Sequence, residues 1–166
     1  MANTQSMCTS FMGQLLNGGH QFGTITLVSR TSLTAPTVDT FKAALYFTTA
    51  SLGAGTTAYA TSGEVTNTSG TGYTAGGTTI TNANPPTATN SSTTAGVAYW
   101  TPSASFSWTA LTVTTAFDSV LVYNSTQNNT AVSVHTFGSQ TITAGTFTLT
   151  MPSNTTSTAL LRLSTT

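Results

Sequence analysis

Charge is nearly absent from this chain. Three Lys and Arg and three Asp and Glu among 166 residues cancel to zero, and they make up 4% of the sequence, against roughly a quarter in an ordinary globular domain. With Arg30, Lys42 and Arg162 as its cations, the chain cannot neutralise the roughly six to ten phosphates on which DNA binding rests. Nor can it supply a polybasic membrane anchor. Neither nucleic acid nor membrane is therefore an expected partner. Cysteine is equally scarce: Cys8 stands alone, which excludes an internal disulfide and a cysteine zinc site. Long apolar runs are missing as well. Stretches such as residues 120–123 fall far below the roughly 20 residues of a membrane span. No cation precedes Arg30, and Gly13, Gln14 and Asn17 interrupt the apolar N-terminal stretch, unlike a secretory signal. A soluble protein made in the cytoplasm is the expectation.

Hydroxyls take the place of charge. The chain holds 42 Thr and 19 Ser, more than a third of its residues, and these must keep it in solution. Threonine is β-branched, which favours strands over helices. With 38% hydrophobic residues and fifteen aromatic side chains, the composition is that of a folded protein, not of a disordered one. The length suits one domain.

Cys8, Phe11, Met12, Leu15 and Leu16 recur at helical spacing and form one apolar stripe. Asn17-Gly18-Gly19 supplies a stop, because glycine tolerates the left-handed conformation that closes a helix. The stripe either covers the domain's own sheets or docks on a neighbouring subunit. In the docking reading Phe11, Leu15 and Leu16 are the assembly-interface anchors. From Gly23 onward the pattern changes to short alternating segments. Ile25 and Leu27 alternate with Thr24 and Thr26, and residues 41–47 repeat the pattern. Further candidate strands are 78–81, 97–100, 106–113, 116–123, 131–137, 146–151 and 159–163, about nine in all. Many short strands with no intervening helix predict an all-β fold, an antiparallel β-sandwich of jelly-roll type. The expected division is an N-terminal helical arm at 1–22 and a single sandwich domain at 23–166. Residues 53–94, rich in Thr, Ser, Gly and Asn, should form two long exposed loops. No fixed internal period is present, which disfavours a solenoid and, with it, an ice-binding face built on Thr-x-Thr runs such as Thr146-Phe147-Thr148.

Catalytic constellations are lacking. A nucleophilic hydrolase needs a base, and His20 and His135 sit in no recognisable motif. Gly-x-Ser-x-Gly, His-Glu-x-x-His, the Walker loop and the EF-hand are all absent. Asp39, Glu64 and Asp118 are too scattered to suggest a glycosidase pair. The expectation is therefore no enzyme: no catalytic residues, no metal ligands and no cofactor. His135, between Val134 and Thr136, reads as a hydrogen-bonded structural histidine. His20 reads as a turn residue after the helix stop. Asp118 would cap a turn or pair with an arginine. Five Asn-x-Ser/Thr matches, at Asn67, Asn90, Asn124, Asn128 and Asn154, are about what chance provides in so hydroxyl-rich a chain and do not signal glycosylation. Tyr99, Trp100 and Trp108 would serve either as core or as a sugar-stacking platform.

Several segments in order carry a resemblance. They are residues 15–22 (LLNGGHQF), 39–46 (DTFKAALY), 53–59, Gly63-Glu64-Val65, 69–77 (SGTGYTAGG), Val122-Tyr123-Asn124, and 145–149 (GTFTL) before Pro152. This series resembles a family of small structural proteins encoded by tailed bacteriophages and spans nearly the whole chain. The stretch 23–38 ahead of the Asp39 motif and the low charge depart from the pattern. The resemblance implies a virion component, with a capsid decoration or cement protein as the leading role. Its partners would be the major capsid protein and copies of itself, as a trimer or a dimer. The alternative is a tail, neck or fibre component that binds host receptor or glycan through the long loops and the Tyr73 or Trp100 region.

Overall fold

Alternating apolar and hydroxyl side chains present one wet and one dry face to a pleated backbone, and antiparallel strands are the result throughout. The computed structural model describes residues 3–16, 20, 22, 38–66, 72–80, 86–89 and 96–164, the side chains of residues 12–14 and 16 excepted. In chain order the elements are β1 (Ser6–Met7), α1 (Thr9–Leu16), β2 (Phe41–Phe47), β3 (Thr78–Thr79), β4 (Thr87–Ala88), β5 (Val97–Trp100), β6 (Phe106–Asn124), β7 (Thr130–Leu149) and β8 (Leu161–Ser164). They form a five-stranded sheet ordered β1-β7-β6-β2-β3 and a three-stranded sheet ordered β4-β5-β8. Every strand pair is antiparallel. Among the described residues the protein is all-β with one short helix, as the composition predicts. The strand expected around Ile25 and Leu27 and the helix stop at residues 17–19 lie outside the described residues.

Four expected strands turn out to be two. Segments 106–113 and 116–123 fuse into β6, 19 residues long, and segments 131–137 and 146–151 are joined as β7, 20 residues long and ending at Leu149. The sequence suggests breaks because the alternation slips phase. Burial on β6 falls at Phe106 and Trp108, then at Leu111 and Val113, then at Phe117. Bulges absorb each slip without ending the strand. The ladder register shifts between Trp108 and Leu111, between Leu111 and Val113, and between Val113 and Phe117. Ala110 and Ala144 adopt left-handed φ values of 52° and 48° beside two of these shifts. The loop closing the hairpin uses Asn128 and Asn129 at φ 52° and 57°, a conformation asparagine tolerates better than most residues.

The core centres on β2, β6 and the proximal half of β7, where Leu45, Val120, Leu121, Val122, Val132 and Val134 are fully buried. Trp100 of β5 joins the second sheet to the first, its ring 4.8 Å from Phe22 and 6.2 Å from Phe41. Gly77, at φ +71°, lies so close to the Ala43 carbonyl that any Cβ there would collide with it.

The N-terminal segment is not a separate arm, which corrects the expected division at residue 22. Ser6 and Met7 pair with Val134 and Ser133, and Cys8 and Phe11 are buried in the common core. Asn3 is also buried. Its amide donates to Asp118 Oδ1 at 2.7 Å and Ser119 Oγ at 2.8 Å, and its Oδ1 accepts from the Leu52 N–H at 3.0 Å. These contacts span between 49 and 116 positions of sequence, so no local pattern announces them. They also give Asp118 a partner that is neither a turn cap nor an arginine.

Candidate functional site

Of the three expected interface anchors, Phe11 and Leu15 can be followed. They are four residues apart on α1 and share a face. Phe11 is 2% exposed, its ring 4.8 Å from His20 and 5.8 Å from Phe22. It is engaged inside the chain rather than displayed. Leu15 is half-buried and opens onto a groove between α1 and the three-stranded sheet. The side chain of Leu16 lies outside the described ones. The groove has a cavity volume of about 90 Å³ and is walled by apolar residues, among them Met7, Leu15, Tyr99, Leu161 and Leu163. At its rim Leu163 is 43% exposed, the one large hydrophobic displayed among the described residues.

The aromatic candidates divide. Trp100 and Trp108 are 2% and 5% exposed and belong to the core. Tyr99 is half-buried at the groove. Tyr73 is buried, so its ring presents no platform to a sugar.

What Tyr73 does instead was not legible in the sequence. Its hydroxyl donates to Glu64 Oε1 at 2.7 Å and accepts from the Leu45 N–H at 3.0 Å. Glu64 is itself buried. It accepts further from Tyr59 at Oε2, 2.6 Å, and from the Gly76 N–H at Oε1, 2.7 Å. Tyr59 stacks on Tyr123 with ring centroids 4.6 Å apart, and Tyr123 donates to the Gly76 carbonyl at 2.7 Å. Burial first, and the neighbouring carboxylate next, push the phenols of Tyr59 and Tyr73 well above the usual range, so both remain donors. Three charge-assisted bonds to one carboxylate clamp two glycine-rich loops onto β2. The signal available in the sequence was the placing of a lone acid, Glu64, between two tyrosines in a stretch built mostly of Thr, Ser and Gly.

A second network closes the far end of the hairpin. The Asn124 amide donates to Asp39 Oδ2 at 2.7 Å and contacts His20 Nδ1 at 3.0 Å. Its Oδ1 accepts from the Thr126 and Gln127 N–H groups, and the Gln127 amide reaches Asp39 Oδ1 at 3.2 Å. His20 is therefore a buried member of a polar network, not the turn residue expected. Desolvation lowers its pKa, with Asp39 opposing the shift. His135 Nε2 lies 2.8 Å from Ser133 Oγ, the hydrogen-bonded arrangement predicted for it, and desolvation pushes its pKa down to about 4. Burial pushes the Cys8 thiol up to about 11, which keeps it a protonated, unreactive thiol. Among the described residues no three His, Cys, Asp or Glu side chains gather as a metal site would require, and no helix is long and apolar enough to cross a membrane.

The outward side of the β6–β7 hairpin completes the surface. Ser107, Thr109, Thr114 and Thr115 on β6 are exposed, as are Ser139, Thr141, Thr143, Thr146 and Thr148 on β7. Comparison of the chain with protein-family models, with curated proteins and with solved structures finds no match.

Proposed function

We propose that this chain is a structural protein of a tailed-bacteriophage virion, a decoration or cement protein that binds the major capsid protein on the outer shell. The observation that carries the reading is the exposed side of the distal half of the β6–β7 hairpin, an uncharged set of hydroxyls between residues 107 and 115 of β6 and between 139 and 148 of β7. Such a surface forms many interfacial hydrogen bonds without stripping water from ions, and its contacts are insensitive to salt. The mechanism is adhesive: each copy bridges neighbouring capsid subunits, and multivalent attachment makes weak individual contacts sufficient. The groove bordered by Leu15 and Leu163 adds an apolar patch to this surface. In this reading the two sheets joined through Trp100 form a jelly-roll-like sandwich, and the chain performs no catalysis. The engagement of Glu64, Asp39 and His135 in internal hydrogen bonds supports that role.

The test is copy number in purified virions, measured by quantitative mass spectrometry against the major capsid protein. A count on the order of hundreds, matching an icosahedral set of positions, is expected. A dozen or fewer copies overturns the decoration role and moves the protein to the neck, tail or a fibre.

A further inference from the structure

The distal half of the β6–β7 hairpin carries a strand edge that no described strand pairs. β1 covers β7 at Ser133 and Val134 alone. Beyond that point β7 is paired to β6 on one side, and from residue 137 to 149 its other side makes no backbone hydrogen bond to another described residue. Alternate residues there turn their N–H and C=O groups outward. Native sheets protect such edges with lysine, proline, brevity or bulges. Residues 136–149 contain no charge and no proline, and their protection is confined to the bulges between Thr136 and Gln140 and at Ala144. The bulge at Ala144 leaves residues 145–149 as an uninterrupted run, with Phe147, Thr148 and Leu149 in register with Trp108, Ser107 and Phe106. On one face Phe147 and Leu149 are half-buried, and on the other Thr146 and Thr148 are exposed.

We propose that residues 145–149 pair antiparallel with the same residues of a second copy of this chain, about a twofold axis at Phe147. In that register Phe147 stands opposite its own mate, and Thr146 stands opposite Thr148 of the partner subunit. Aromatic and threonine cross-strand pairs are both stabilising, and an interface of this kind is self-complementary by symmetry. Charge selects the occupant. An edge with no charge offers nothing to an acidic or basic peptide, while two copies of it meet without repulsion. The edge at β8, which also displays an apolar residue in Leu163, carries Arg162 and would bring like charges together on self-pairing. The pairing joins two hairpins into one sheet of four long strands and extends the hydroxyl face across both subunits. It stands independently of the virion reading.

Sedimentation of the full chain over a range of concentrations tests it. The wild type is expected to be a dimer that dissociates on dilution. Thr146→Lys/Thr148→Lys, which places two cations on each edge, should be a monomer with an unchanged circular dichroism spectrum and the melting temperature of the wild type diluted to its monomer. Thr115→Lys, exposed on β6 away from the edge, should remain dimeric. A second variant, Thr146→Cys/Thr148→Cys, should give a covalent dimer on mild oxidation, against a background in which Cys8 is buried. A wild type that is monomeric at every concentration overturns the proposal. So does a double-lysine variant that stays as dimeric as the wild type, or a dimeric double-cysteine variant that does not cross-link.

Discussion

Acid should destabilise this protein through a histidine. His135 sits on β7 opposite Val120, with its Nε2 held by Ser133, and desolvation lowers its pKa from the ordinary 6.5 to about 4. The unfolded chain therefore binds a proton that the folded chain rejects, and stability rises with pH wherever that holds. The contribution is complete above about pH 6.5 and is lost progressively as pH falls toward 4. Between neutrality and pH 5 the two values correspond to a loss of about 2 kcal/mol, or about 1 M in the urea midpoint for a domain of this size. His20 is shifted in the same direction by its own burial and adds to the effect. Urea unfolding of the wild type and of His135→Gln at pH 7.5 and pH 5 measures it directly. Glutamine keeps a hydrogen-bonding group near Ser133 but cannot take up the proton, so the variant should lose much less stability over that interval. A variant whose stability falls as steeply as the wild type's would refute the assignment to His135.

Two further outcomes are expected from the internal networks. Tyr73→Phe removes one of the three donors to the buried Glu64 carboxylate and the acceptor of the Leu45 N–H, at a cost of about 2–3 kcal/mol. Tyr59→Phe removes a single bond from a more exposed ring and should cost less; equal effects in thermal melts would contradict the clamp. Deletion of residues 1–11 removes β1, the Asn3 bonds and the buried Cys8 and Phe11. Since burying a phenylalanine alone contributes roughly 2–3 kcal/mol, the truncated chain should fail to fold cooperatively, and a sharp melting transition at the wild-type temperature would restore the view of a separable arm.

Much of the architecture was legible because it rests on local periodicity. Alternation in residues 41–47 marks β2 and the short apolar run 97–100 marks β5 at their observed bounds, and the apolar stripe from Cys8 marks α1 to within one residue. Both signals come from side-chain spacing on a regular backbone. The fused hairpin was not legible. A bulge shifts the alternation as a strand end does, and the difference between them lies in whether the opposite strand continues to pair. The groove was half legible: the stripe identified Leu15, whereas Leu163 emerges as its rim through the placement of β8 beside β5.

Composition and period act residue by residue, and they dictate a nearly uncharged, hydroxyl-rich, strand-forming chain with a short N-terminal helix. Tertiary structure alone decided where the scarce polar and aromatic groups went. Phe11 turned into the core, Glu64 collected Tyr59, Tyr73 and Gly76, Asp39 met Asn124 across 85 positions of sequence, and the far edge of β7 was left unpaired among the described residues. Each of these depends on which distant segments pack together, and burial leaves a polar group no choice but to find a partner there.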